Sequence, residues 1–302
     1  MLGGIVSVAA AGLAYAHLET KLFTVRHVTV PALPAGERDL RVLHVSDLHL
    51  TPTQHRKIAW VRSLAALEPD LVIDTGDNLA HREALGPLLH ALGPLLEQAP
   101  GAFVMGSNDY YAPKPKNPAR YLWTRSGPRT RSAPNLPAAE LAAAMSGAGW
   151  ADLTNRRDAV VVDGRRIAFA GVDDPHLGLD DFPAPSPAQD DEGEALLRLG
   201  VTHAPYTRVL DQMYADGADA IIAGHTHGGQ LCVPFYGALV TNCDIDQRRA
   251  KGLHGWPGAR PDAPDGGDST WLHVSAGAGT SPYAPVRFAC RPEATLITFT
   301  AR

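Results

Sequence analysis

The chain has 302 residues, 45% of them hydrophobic and 20% charged, with a formal net charge of −5 at pH 7. That is enough chain and apolar content to bury a full core, and the mildly negative balance argues against a general nucleic-acid binder. Three scattered cysteines, Cys232, Cys243 and Cys290, exclude a disulfide framework and a thiolate zinc cluster.

Residues 2–18 carry no formal charge and are mostly small or apolar, with Glu19 and Lys21 closing the run. Such a run stands at the lower limit for a membrane-spanning helix. Three readings stay open: a membrane anchor within 1–26, an export signal with a cleavage-like Ala14-Tyr15-Ala16, or a helix packed on the domain. The anchor leads, because Lys21, Arg26, Arg38 and Arg41 follow it and would keep the body of the protein on the cytoplasmic side. Residues 27–302 then read as one domain.

Within it, Val28 to Pro34 predicts an edge strand. Arg41 to Ser46 is an apolar strand leading into Asp47-Leu48-His49, and Gln54 to Leu67 has helical spacing at Ile58, Val61, Leu64, Ala65 and Leu67, stopped by Pro69. A second strand, Asp70 to Asp74, leads through Thr75-Gly76 into Asp77-Asn78. Arg82 to Gln98 repeats the helical pattern, and Ala102 to Met105 leads into Gly106-Ser107-Asn108-Asp109. Strand and helix in alternation predict right-handed crossovers and parallel pairing.

Residues 110–137 break the pattern with six prolines, six basic residues and no acidic one. A loop of this length is a solvated excursion or a cap that draws an anionic headgroup toward the site. Leu136 to Ala148 predicts a helix, and Trp150 to Asn155 a connector. Asp158 to Val162 and Arg166 to Ala170 flank Asp163-Gly164, a hairpin signal that turns the topology antiparallel and delivers Asp173, Asp174 and His176 to the loop side. Asp180 to Glu194 predicts an exposed Pro/acidic loop. Leu197 to Thr202 is a strand ending at His203, Tyr206 to Asp216 a helix, and Ala220 to Ala223 a strand ending at Gly224-His225-Thr226-His227. Leu231 to Val233, Ala238 to Thr241, Trp271 to Ser275, Val286 to Ala289 and Ala294 to Thr300 are further strand candidates. The expected architecture is α/β: a four-layer α/β/β/α sandwich of two mixed sheets flanked by helices.

Every ligand-type cluster follows the carboxyl end of a strand, where open α/β sheets gather their ligands. Neutral imidazole is the commonest side-chain metal ligand, and glycines beside His225 and His227 let the backbone pass close. Asp47-x-His49, Gly76-Asp77, Asn108, His203 and Gly224-His225-Thr226-His227 resemble the ordered motifs of the calcineurin-like metallophosphoesterases. The closing Gly279-Thr280-Ser281 to Arg287 and Arg291-Pro292-Glu293 are similar to a bacterial, often membrane-associated branch that includes enzymes cleaving lipid-linked pyrophosphates.

The resemblance implies a dinuclear metal site at the strand ends. Asp47, His49 and His227 would hold one ion, Asn108, His203 and His225 the other, and Asp77 would bridge. The chemistry asks for the same inventory, since paired ions need a shared carboxylate, and mixed His, Asp and Asn donors suit Mn, Fe or Zn over Mg or Ca. One departure stands out: the family shows Gly-Asn-His-Asp or Gly-Asn-His-Glu where this chain has Gly106-Ser107-Asn108-Asp109. Counting from Gly101 makes Asn108 the ligand and puts Asp109 in place of the histidine; aligning the glycines makes Ser107 the substitute ligand. An amide oxygen coordinates better than a neutral hydroxyl, which favours the first.

The expected activity is hydrolysis of a phosphodiester, phosphomonoester or pyrophosphate, a lipid-linked substrate among the candidates, by a hydroxide held between two divalent ions. Asp109, His176 or a metal-held water would protonate the leaving oxygen. Asp74 would orient a ligand imidazole, and His44 would be a core or supporting residue. The competing readings are a catalytically weak metal-binding scaffold, a phosphatase of soluble nucleotides or phosphoproteins, and a metallohydrolase of a non-phosphorus bond. No nucleic acid is expected, membrane association would run through residues 2–18, and oligomeric state is left open.

Overall fold

The computed structural model describes residues 2–115, 133–185 and 195–302, with residues 2–9 by their backbone alone. Short apolar runs become strands here because both of their faces are covered: every residue of β3 (Leu71–Asp74) and β9 (Ala220–Ala223) is buried. One sheet has the order β1-β14-β2-β3-β4-β5. It is built from β1 (Thr24–Leu33), β2 (Leu40–Val45), β3, β4 (Gly101–Phe103), β5 (Ala151–Asp152) and the last strand, β14 (Glu293–Ala301). Strands β2 to β5 run parallel, β14 is antiparallel to β2, and β1 closes the edge parallel to β14.

The other sheet has the order β12-β13-β9-β8-β7-β6. Its strands are β6 (Arg156–Val162), β7 (Arg165–Gly171), β8 (Leu197–Thr202), β9, β12 (Gly252–Trp256) and β13 (Thr270–Val274). The inner four are parallel, and β6 and β12 are antiparallel edges. The β6–β7 turn is tight because Asp163 and Gly164 both take left-handed backbone, φ 50° and 76°, as a two-residue hairpin of this hand requires.

Between the sheets lie Val30, Val42, Leu71, Ile73, Ile167, Phe169, Leu199, Val201, Ile222, Ile297 and Phe299. Helices α2 (His55–Ser63), α3 (Leu85–Gln98) and α5 (Ala138–Gly147) cover the outer face of the first sheet through Ile58, Val61, Leu88, Leu92, Leu95, Leu141 and Met145. Helix α6 (Thr207–Ala215) covers the second sheet through Val209, Leu210 and Met213, each burial being worth roughly 1.5–3 kcal/mol. The four-layer α/β/β/α sandwich is therefore as expected. A one-turn helix, α4 (Ser107–Tyr110), follows β4 at the site, and the N-terminal helix α1 (Leu2–Glu19) lies apart from the layers, docked by its last turn.

Two expectations are revised, and one strand, β12, is added to those expected. Strand β12 carries no clear alternation in sequence and forms because β13 offers it an edge. Val286 to Ala289 makes only an isolated bridge, Phe288 to Leu231, because its backbone is bonded to the end of α1 instead. Ala238 to Thr241 shrinks to β11 (Gly237–Ala238), paired with β10 (Cys232–Val233). Most of the basic loop expected at 110–137, and the distal part of the 180–194 loop, lie outside the described residues. The basic loop's two described ends meet beside the site, where Asn135 and Leu136 donate to the Tyr110 carbonyl.

Candidate metal centre

Five turns bring the polar residues together at the seam between the sheets: Ser46–His49 after β2, 75–78 after β3, 104–109 after β4, His203 after β8 and 224–227 after β9. Backbone bonds lock adjacent turns in register, with Asp47 N donating to Gly76 O at 2.9 Å, His49 N to Asp77 O at 2.9 Å and Gly224 N to His203 O at 2.9 Å. The turns pass so close that glycine is required. A Cβ on Gly224 would collide with Ser46 Oγ and lie 2.7 Å from Asp47 Oδ2, and one on Gly106 would collide with Asp77 Oδ1. Asp47, His49, Asp77, His225 and His227 all adopt left-handed backbone, φ 41–68°, which non-glycine residues hold only where the surroundings impose it.

Asp77 lies between two pairs of histidines. Its Oδ2 is 3.4 Å from His49 Nε2 and its Oδ1 is 3.5 Å from His203 Nε2. His49 Nε2 faces His227 Nε2 at 3.1 Å, and His203 Nε2 faces His225 Nδ1 at 3.2 Å. Asp47 Oδ1, buried and without a hydrogen-bond partner, lies 3.6 Å from His227 Nε2. Asp47, His49 and His227 converge as one donor triad, and Asp47, Asp77 and His203 as another.

Each imidazole also has its other nitrogen tied outside the centre. His203 Nδ1 donates to Thr75 O at 2.7 Å and His227 Nδ1 to Gly279 O at 3.2 Å, while His225 Nε2 meets Asn242 O at 3.2 Å. His49 Nδ1 lies 3.2 Å from the Asn108 carboxamide nitrogen; turning that amide presents its oxygen to Nδ1–H and frees Nε2. Outer partners of this kind set the tautomer that a metal-binding imidazole needs.

The electrostatics agree. Burial, with Lys57 adding to it at His49, holds His49 and His227 well below the usual imidazole range and hence neutral. Burial opposes a charge on His203, yet Asp77, Asp174 and Asp47 outweigh it and raise the group to about 9. Burial, opposed by His203 and reinforced by Asp47, pushes Asp77 up to about 7. Carboxylates and imidazoles packed this tightly in a dry seam call for cations, and an orphaned carboxylate oxygen among nitrogen donors fits two divalent ions.

Three residues lie apart from the places expected of them. Asn108 was placed with His203 and His225, but its carboxamide contacts His49, and only its backbone N reaches Asp77, at 2.6 Å from Oδ1. That position fits the alignment of the glycines, with Ser107 where the family has its ligand asparagine. Asp109 was a candidate acid, but it is fully buried and its carboxylate accepts from Asp77 N at 2.8 Å, Asn78 N at 2.8 Å and Gly106 N at 2.9 Å. It ties two ligand turns together. Asp74 touches no imidazole; its Oδ1 accepts from Gly76 N and the Asn78 amide, holding the Asp77 turn from below.

His176, the other candidate acid, lies at the rim with its ring 4.6 Å from that of His225 and its Nδ1 3.1 Å from the Tyr206 hydroxyl. Of the supports, His44 is the one expected from the sequence. Arg287, fully buried, donates to the carbonyls of Ala276 at 2.7 Å, Gly277 at 3.0 Å and Gly279 at 2.7 Å, and so fixes the carbonyl that orients His227. A buried chain runs His273, His44, Thr75, Ser46, Asp47, with links of 3.1, 2.9, 2.7 and 2.5 Å. A lone arginine or serine carries no local signal of such a role.

Comparison with known proteins gives the same answer. The chain matches the calcineurin-like phosphoesterase family over residues 40–229. It is 24% identical to the uncharacterized metallophosphoesterase YkuE of Bacillus subtilis, over 96% of this chain and 90% of that one. It is 25% identical to the phosphodiesterase YaeI of Escherichia coli, over 85% and 81%. Among solved structures, purple acid phosphatase PPD1 of yellow lupin aligns with a TM-score of 0.46 at 12% identity, over 85% of this chain and 47% of that one. Strand-end ligands in order, a carboxylate shared between two histidine pairs and a family match across the whole centre lead to one conclusion: this chain belongs to the calcineurin-like phosphoesterases and is a metal-dependent phosphoester hydrolase.

Proposed function

We propose that the substrate is a phosphodiester or diphosphate with a good leaving group, carried on a lipid and met at a membrane surface. The observation that carries the reaction type is the position of Asp77, with one oxygen toward His49 and the other toward His203. Asp47, His49 and His227 would hold one cation and His203 and His225 the other, with Asp77 between them. Bound there, two divalent cations supply Lewis acidity toward the phosphoryl oxygens and a nucleophile at neutral pH.

The chain's own groups supply the rest. Asn108, an amide where the family has an imidazole, can hydrogen-bond an oxygen but cannot deliver a proton, which favours leaving groups that need little acid help. His176, held by Tyr206 at the rim, is the proton donor of this proposal. The relative named a phosphodiesterase supports a diester, and the uncharged run 2–18 supports a lipid-borne one. Among the described residues no helix is long and apolar enough to cross a membrane.

A panel with added Mn, Fe or Zn tests this, using an aryl phosphomonoester, an aryl phosphodiester, a glycerophospholipid and a sugar-nucleotide lipid. Turnover of the diester and of one lipid substrate, with the monoester poor, is the expected pattern; a preference for the monoester would sink it. Asn108 also favours a second reading, a metal-binding scaffold with weak turnover. Stoichiometric bound metal with no hydrolysis of any substrate would decide for that.

A further inference from the structure

Helix α1 ends with its last turn fastened to the body. Arg287 N donates to Ala16 O at 2.8 Å, His17 Nδ1 to Pro285 O at 3.1 Å, and Ala289 N and Cys290 N to the buried Glu19 carboxylate. Before that turn the helix is largely uncovered: residues 10–15 are all exposed, with Gly12, Leu13 and Tyr15 turned toward the body. A helix without charge on any face belongs in an apolar surround, whereas a surface helix buries one stripe and keeps the rest polar. Against it lies an apolar groove of about 400 Å³ lined by Leu13, Ala16, Val233, Leu239, Val286 and Phe288, with the Tyr15 ring edge-on to Phe288 at 5.7 Å.

The groove continues onto the tip of the β10–β11 hairpin. Phe235 is fully exposed there and Tyr236 is 70% exposed. Phe235 also holds left-handed backbone, φ 67°, a strained conformation for a bulky aromatic. The rim is basic: Lys21 Nζ lies 3.0 Å from His17 Nε2, and Lys251 Nζ donates to Ala289 O at 3.5 Å. Glu19, two residues before Lys21, is buried with its oxygens taken by backbone N–H groups, so it does not offset the charge of the lysines outside.

We propose that α1, the groove and the hairpin tip form one docking surface for an anionic lipid bilayer. An apolar wedge with lysines at its edge matches the acyl boundary and the anionic headgroups above it. A second copy of the chain would cover one stripe of α1, whereas a bilayer covers every face that the body leaves open. The hairpin follows directly on His227-Gly228-Gly229, and Cys232 Sγ bonds Gly228 O, so docking sets the metal centre beside the leaflet. Access of a lipid substrate to the centre rests on the proposed function; docking itself does not.

The test is flotation of the whole protein with vesicles of phosphatidylcholine alone or with about a third phosphatidylglycerol, beside turnover of a soluble aryl phosphodiester. The parent is expected to float with the anionic vesicles. Phe235→Ser/Tyr236→Ser should lose tenfold or more of that binding, Lys21→Gln/Lys251→Gln should lose it as added salt does, and Val161→Ser, on the far edge strand β6, should bind as the parent does. Equal soluble turnover in all variants shows that they are folded. Docking is overturned if the parent binds neither vesicle, if the hairpin variant binds as the parent does, or if that variant instead abolishes a dimer of a parent that ignores vesicles. Vesicle binding without turnover would sink the hydrolase reading and leave the docking surface standing.

Discussion

Gly224→Ala isolates the packing on which the centre depends. Gly224 has no left-handed backbone to lose, so the cost is steric: the new Cβ would meet Ser46 Oγ, with Asp47 Oδ2 at 2.7 Å and Thr75 Oγ1 at 2.9 Å. All three neighbours are fully buried and bonded in one chain, so none can retreat freely. Overpacking of this kind costs roughly 1–3 kcal/mol, or several degrees of melting temperature in a domain of this size. The displaced residue is Asp47, common to both donor triads, so bound metal should fall about 10–100-fold in affinity. Ser46→Ala removes the atom in the way at the expense of two hydrogen bonds, one to Asp47 and one from Thr75, about 1 kcal/mol each. The double variant should then be more stable than the sum of the singles predicts, by roughly 1 kcal/mol or more. Thermal melts and metal titration of the four proteins complete the cycle. Additive losses, or a Gly224→Ala protein with the parent's metal content, would refute the steric account.

Two further outcomes follow from the buried polar groups. In Asp109→Asn at least one of three buried N–H groups faces an amide nitrogen, costing roughly 1–3 kcal/mol and loosening the Asp77 turn. The variant should melt lower and bind metal more weakly while its pH–rate profile keeps both limbs; loss of one limb with unchanged metal content would restore Asp109 as the acid. Burial holds His273 down at about 3 and His44 well below its usual range, so both must stay neutral in the fold. A depressed folded-state value gives stability that is present above pH 6.5 and lost as pH falls toward 3, about 1.4 kcal/mol per unit for each group. The stability gap between the parent and His273→Asn should therefore narrow on acidification by about that slope. A gap constant from pH 7 to pH 4.5 would mean that the imidazole is not what the acid attacks.

Legibility in the sequence followed burial. The strands that carry ligands were readable because sheet-covered runs such as Leu71–Asp74 are apolar throughout and end abruptly in Asp or His. The β6–β7 hairpin was readable because Asp163-Gly164 is a local demand of the backbone. Strand β12, with residues such as His254 and Gly255 in its run, answers to no local pattern and exists only because β13 needs a partner. Val286 to Ala289 looked like a strand for its side chains, but Arg287 N and Ala289 N are spent on α1, a contact hundreds of residues away that no window sees.

The site shows the same division more sharply. Residue types and their order pointed to the ligands, but Asn108 and Asp109 are adjacent polar residues in a loop, and which one faces the centre depends on where three backbone N–H groups need an acceptor. That need is tertiary. The left-handed backbone at Asp47, His49, Asp77, His225 and His227 is hidden for a related reason: turn rules would place glycine or asparagine there. Each such residue costs roughly 1–2 kcal/mol, so the five together cost on the order of 5–10 kcal/mol, comparable to the net stability of a typical domain. Glycine at any of them would relieve the strain and remove a ligand. A chain that keeps aspartate and histidine in those conformations holds them there by the packing of two sheets, and the return on that strain is a cluster of buried donors aimed at one place.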